Sequence, residues 1–403
     1  MTTEKITHQL LVNLLALDEL FQDYEFIHCY IGPAQYKHQA KKTQPEQALI
    51  NLEKLVSDLN EIPDVYPYYR RTFIKEMLNS AIEQVRFFCK GKNERSFKDQ
   101  IQTLIGATVV PPFDLEAELT KTISYVKKTG CNSTAQFFKS RPKIKFNNIK
   151  ELQRYTYDYI DQTTSIMDAL YAKFMPVPPK KIMSNLKLTI EESRIPNLPC
   201  YYFYKGNGNG VAGVTIKNEM SETYLKGFIL HEIMPGHHFY YLMKQYYINN
   251  KSNIDHIHYL DPFYSPENTV NEGLAVNGEE VLHDGLDKET LAGVKLEKLV
   301  HKVLYNAWYS VNIEKNTSLK EIQNLLREEI GFTKEATEQK LNYYTNLEKY
   351  YVASYPIGAD HVQKILQNIG YKNLHILYAQ HSVKTLNLVT REALKCKTQA
   401  DCL

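Results

Sequence analysis

The densest chemistry in the chain lies in His231-Glu232-Ile233-Met234-Pro235-Gly236-His237-His238. In an H-E-x-x-H helix, two histidines four residues apart share a face and bind zinc, while the glutamate beside the first handles the proton of the bound water. Here the fourth position after His231 is Pro235, which cannot bind a metal, and the next imidazoles stand six and seven residues on. Proline removes a backbone donor and its ring pushes away the carbonyl four residues back, so a kink or bulge is expected, and Gly236 permits it. In a straight helix His231 and His238 would share a face about 10.5 Å apart. A bulge would instead bring His237 towards His231. His237 is therefore the preferred second ligand and His238 the alternative, or a partner behind the ligands; the spacing leaves that choice open.

A zinc hydrolase needs a third protein ligand and one open position. Ser265-Pro266 has the chemistry of a helix start, a capping hydroxyl followed by proline in the first turn. The helix it opens carries Glu272 and Glu279, seven residues apart and so on one face, among the small residues Gly273, Ala275 and Gly278 that allow another helix to come close. Glu272 is expected to be the third ligand and Glu279 the carboxylate that orients a histidine. Glu232 is the expected general base. Tyr355, in Ser354-Tyr355-Pro356-Ile357-Gly358, could donate a hydrogen bond to an oxyanion or simply pack at a helix break before Pro356. His256-x-His258 has no surrounding carboxylate motif and reads as loop. His283, His301, His361, His375 and His381 fall singly in helical patterns and read as structural.

The elements that must position these groups are mostly helical. Leu and Phe recur at three- and four-residue steps from Thr7 to about Tyr24. Further helices are expected after Gln44-Pro45-Glu46, from Tyr68 to Cys89, around Phe97–Ile105, from Asp114 as cap through Val126, and from Ile149 to Phe174. Helical periodicity resumes from Lys288 to Ala393. The β signal is confined to 180–220: alternation in Leu186–Glu191, the aromatic run Tyr201–Tyr204, and the β-branched run after Gly206-Asn207-Gly208-Asn209-Gly210. Asn-Gly supplies the positive φ angles of a tight hairpin. A small antiparallel sheet beside the box helix is expected, and Val211–Asn218 as its edge could take up an extended peptide. The expected organisation is an N-terminal helical lobe, 1–175, and a catalytic lobe, 176–403, in a mainly α fold.

Size and charge bound the function. The 403 residues can bury a large core, and 48 Lys+Arg against 46 Asp+Glu leave no electrostatic footprint for nucleic acid. No apolar stretch is long enough to span a membrane. The amphipathic N-terminus does not read as a signal peptide, and the six scattered cysteines (29, 89, 131, 200, 396, 402) read as free thiols, so a cytoplasmic location is expected. Arg70-Arg71 reads as a solvated helix face. The oligomeric state is not written in the sequence.

The box His231–His238, followed by Asn271-Glu272-Gly273-Leu274-Ala275, resembles the bacterial domain-of-unknown-function family numbered eight-eight-five, whose members share an H-E-x-x-P-G-H-H box and a later E-G-x-A segment. That family is in turn similar to helical zinc peptidases of the gluzincin kind. The resemblance covers roughly 195–370 and takes in Ser354–Gly358. It implies one zinc ion per chain, hydrolysis of a peptide or peptide-like amide, and a short substrate. Two rival readings use the same residues: a zinc or iron tailoring enzyme, and a non-catalytic binding protein that keeps the box as a staple.

Overall fold

A computed structural model describes residues 2–20, 26–40, 43–62, 68–90, 95–193, 200–215, 220–250, 255–282, 285–379 and 381–397. The chain is mainly helical with small sheets. The expected periodicities form helices Thr3–Leu20, Pro45–Asn60, Tyr68–Lys90, Phe97–Ile105, Leu115–Lys127 and Ile149–Tyr171. Each buries the stripe that the spacing marks; Pro45–Asn60, for example, buries Ala48, Leu49, Leu52, Leu55 and Leu59. Predicted caps also form. The Asp114 carboxylate accepts from the Ala117 amide at 3.1 Å, and the Ser265 hydroxyl accepts from the Asn268 amide at 3.0 Å. Both satisfy helix-end donors that would otherwise lack partners.

The apolar interior forms two clusters. The smaller gathers the first long helices, from Ile6 to Val85, with Ile257 and Leu260. The larger takes in Cys29 and runs from Ile101 through the box to Leu386, so helices Phe97–Ile105 and Ile149–Tyr171 pack with the elements around the candidate site. Strand Ile27–Tyr30, which no alternation in the sequence marks, pairs antiparallel with Leu260–Pro262 and ties the N-terminal helices to the segment that leads into Ser265. Arg70 differs from the solvated cation expected. It pairs with Asp255, lies 2.7 Å from the His258 ring nitrogen, and stacks on Phe73. Arg71 donates to the carbonyls of Leu59 and Asn60. Both arginines fasten helices and loops.

The hairpin forms where Asn-Gly places it. Strands Cys200–Gly206 and Asn209–Val214 pair antiparallel across a turn in which Asn207 and Gly208 take φ of 52° and 75°. Strand Lys187–Glu192 joins on the far side of Asn209–Val214, parallel to it. The order therefore puts Asn209–Val214 in the centre with both edges paired. This corrects the expectation of an open peptide-binding edge: the backbone groups of Val211–Val214 are committed to two neighbours, and residues 216–219 lie outside those described, as does His283. No helix among the described residues is long and apolar enough to cross a membrane. Cys29, Cys131 and Cys200 are free thiols.

Candidate metal centre

The box does not continue as one helix. Helix Glu222–Glu232, whose Ser221 hydroxyl accepts from the Tyr224 amide at 3.4 Å, stops at the wedge, and a new helix, His237–Asn250, starts on its far side. Between them the chain folds back on the helix it has just left, with the Gly236 amide donating to the Leu230 carbonyl at 3.1 Å. A Cβ on Gly236 would sit 1.6 Å from the His231 carbonyl oxygen, so this approach requires glycine. Breaking the helix frees the two imidazoles from the 3.6-residue repeat.

The break brings His231, His237 and Glu272 together: one ligand atom of each lies within 4.8 Å of the others. The Nε2 atoms of His231 and His237 stand 3.4 and 3.5 Å from the two oxygens of Glu272. Their rings meet edge to face, centroids 4.8 Å apart. His238 turns elsewhere. It is fully buried, with Nδ1 2.5 Å from the Tyr202 hydroxyl of the central hairpin, and desolvation pushes its pKa down to about 3.

Glu272 rides on helix Pro266–Val276. Gly273 of that helix and Gly358 of helix Ser354–Ile369 hold the two backbones in contact: a Cβ on Gly273 would lie 2.3 Å from the Gly358 carbonyl, and one on Gly358 would lie 2.1 Å from the Thr269 carbonyl. The same crossing brings Tyr351, just before the second helix, to Glu272. Its hydroxyl donates to Glu272 Oε1 and accepts from the Asn268 amide group at 3.0 Å. Asn271, adjacent to Glu272, places its carbonyl oxygen 3.0 Å from His237 Nδ1. With Nδ1 donating to that oxygen, Nε2 is the nitrogen turned towards the group. Sequence reasoning does not single out these two orienting residues, Asn271 and Tyr351. Asn271 stands in plain view within the Asn-Glu-Gly string; Tyr351 carries no local signal.

Glu279 does not take the orienting part expected of it. The helix breaks at Asn277, and Glu279 belongs to a new short helix, Gly278–Leu282. Its carboxylate meets Lys298 at 2.6 Å and Lys295 at 3.3 Å, on helix Lys288–Asn312, instead of a histidine of the group. The seven-residue spacing presumes an unbroken helix. At the break Gly278 packs close against the wedge, where a Cβ on it would meet the Pro235 ring at 3.2 Å.

Burial and charge fit a cation. Glu272 is 4% exposed, and its Oε2 has no hydrogen-bond partner among the described residues. Burial works to raise its pKa, yet His237 and His231 hold the carboxyl well below the usual range. Burial lowers His237, and the Glu272 carboxylate outweighs it, lifting the imidazole to about 9. A buried, ionised carboxylate oxygen facing two imidazole nitrogens is the donor set that zinc takes.

Of the three, His231 lines a cleft of about 650 Å³, along with Glu232, His301, Lys340, Tyr344 and Tyr355. Glu232 Oε1 is 3.9 Å from His231 Nε2. The Tyr355 ring lies 6.3 Å from that of His231 and stacks on His301 at 5.1 Å. Burial, then Glu272, raise the Tyr355 pKa well above that of a free phenol, so its hydroxyl remains a donor. His301, expected to be structural, faces the cleft with Nδ1 bonded to the Tyr344 hydroxyl. His256 binds the Tyr36 hydroxyl at 3.0 Å, and among the described residues it joins no metal-ligating group.

A solved structure with this fold exists. The chain is similar to the crystal structure of a candidate lipoprotein from Colwellia psychrerythraea, with a TM-score of 0.60 at 11% identity, over 88% of this chain and 68% of that one. A candidate lipoprotein of unknown function from Shewanella oneidensis aligns with a TM-score of 0.49 at 14% identity, over 89% and 75%. The first likeness is one of fold alone. No protein-family model matches the sequence, and no curated protein does.

Proposed function

We propose that this protein is a zinc-dependent hydrolase of peptide or peptide-like amides. The observation that carries this reading is the convergence of His231, His237 and Glu272 within 4.8 Å, with His231 lining a cleft that also presents Glu232. Nε2 of His231, Nε2 of His237 and the Glu272 carboxylate would hold one divalent cation per chain. Bound there, the ion would supply Lewis-acid chemistry, acidifying water and polarising a carbonyl. Asn271 and Tyr351 keep two of those donors in register. Glu232 accepts the proton of the attacking water as its oxygen bonds to the carbonyl carbon, then delivers it to the amide nitrogen as the C–N bond breaks. Tyr355 donates a hydrogen bond to the developing oxyanion, a contribution worth about 3 kcal/mol in comparable sites. The product is a carboxylic acid and an amine.

Two histidines and one carboxylate also suit iron(II), which is the specific ground for the tailoring-enzyme alternative. The test is metal analysis of protein purified without added metal, followed by hydrolysis of a short-peptide panel. Zinc near one per chain, lost in His231→Ala, is expected. Glu232→Gln should keep the metal and lose at least about a hundredfold in rate. Iron in place of zinc moves the reading to the alternative; absence of any bound metal at neutral pH overturns both.

A further inference from the structure

The charges around the cleft are nearly all matched. Glu279 is neutralised by Lys298 at 2.6 Å, Glu297 faces Arg141 at 3.7 Å, and His231 faces Glu272 at 3.4 Å. Lys340 is the exception. It lines the cleft from helix Lys334–Asn342 and is half-buried, and among the described residues no carboxylate stands within 4.0 Å of its ammonium group. The contact its Nζ does make is the face of Phe332, 5.5 Å from the ring centre, which supports a cation without neutralising it. Exposed side-chain amides, Gln339 and Asn342, line the cleft on the same helical segment. Lys340 is also close enough to His301, which lines the same cleft, for its charge to act on that imidazole. An anion entering the cleft would give this half-buried ammonium group the opposite charge that it lacks among the described residues.

We propose that Lys340 anchors a free carboxylate of the substrate, so that the cleft selects short peptides or acyl-amino acids that carry a carboxylate near the cleaved amide. The proposal rests on the hydrolase reading for the word substrate, but the carboxylate site itself does not need turnover. The carboxylate belongs either to the chain end or to an acidic side chain, and the recognition chemistry is the same for both.

Binding to the full-length, metal-free protein separates these points. Calorimetry would compare N-acetyl-Ala-Ala as free acid, the same compound as carboxamide, and N-acetyl-Ala-Glu carboxamide, whose only carboxylate is the side chain. The expected result is binding of at least one carboxylate-bearing probe about tenfold or more tighter than the uncharged amide. Lys340→Met should abolish that preference and Lys340→Arg should retain most of it. If the free acid alone is preferred, the anchor reads a chain terminus; if the glutamate probe matches it, the anchor reads a side chain. Equal binding of acid and amide, no binding of any probe, or a preference that survives Lys340→Met overturns the proposal. Failure of the metal-loaded protein to cleave any peptide, with the calorimetric preference intact, would sink the hydrolase reading and leave the carboxylate anchor standing.

Discussion

At the level of single residues, the candidate centre depends on groups that never touch the metal position directly. Asn271 fixes the His237 tautomer through one hydrogen bond to its side-chain oxygen, and its amide nitrogen has no partner among the described residues. Asn271→Ala should therefore lower zinc affinity by about 10- to 100-fold while leaving the fold intact, measured by competition with a chromogenic chelator. Zinc affinity unchanged in that variant would remove Asn271 from the site. His301 makes a pH prediction. Burial, with Lys340 and His231, lowers its pKa to about 3, against about 6.5 in an unfolded chain. The folded chain keeps this histidine neutral while the unfolded chain takes up a proton. Its contribution is thus complete above pH 6.5 and is lost as pH falls from about 6.5 towards 3, by at most about 1.4 kcal/mol per pH unit. Denaturant midpoints across that range should decline less steeply in His301→Gln than in the parent.

Among secondary-structure elements, two close approaches decide the geometry. The chain reversal at Gly236 leaves no room for a side chain against the His231 carbonyl, and the Gly273–Gly358 crossing leaves none between two helices. Gly236→Ala must unfold the reversal or move His237 off the group, so zinc binding should be lost together with several degrees of thermal stability. Gly358→Ala forces the helices apart and is expected to cost about 1–3 kcal/mol. It should also weaken zinc binding, because Glu272 and Tyr351 stand on opposite sides of that contact. Wild-type affinity in Gly358→Ala would mean that the crossing supports the fold without setting the ligand. Glu279 belongs here too: its pairing with Lys298 and Lys295 fastens the short helix after the break to helix Lys288–Asn312.

For the whole molecule, the three proposed ligands come from three different helices, and a cation bound by all of them exists only in the folded chain. Ligand binding of that kind stabilises by about 2.7 kcal/mol at a free metal concentration a hundred times Kd. Stripping the metal with a chelator should lower the unfolding temperature, and zinc should restore it; the same treatment of His231→Ala should change nothing. The larger apolar cluster extends from Ile101 to Leu386 and surrounds the box helices, so loss of the metal is expected to loosen the site without dissolving that core.

Much of this protein follows from local chemistry in the chain. Helix stripes, the caps at Asp114, Ser221 and Ser265, the Asn207-Gly208 turn and the helix break at Pro235-Gly236 each depend on residues within a few positions of one another, so the sequence alone determines them. It also supplies the donor types, His231, His237 or His238, and Glu272. What it leaves open depends on where one element docks against another. His237 and His238 are neighbours in sequence, and only the placement of helix His237–Asn250 sends one ring to Glu272 and the other to Tyr202. The same holds for the break at Asn277 that turns Glu279 to the lysines, for the strand Lys187–Glu192 that closes the expected sheet edge, and for Lys340 lining the cleft with no carboxylate beside it among the described residues. Local propensities act over one or two turns of chain. Side-chain partners tens of residues apart are chosen by tertiary packing, which no spacing rule encodes.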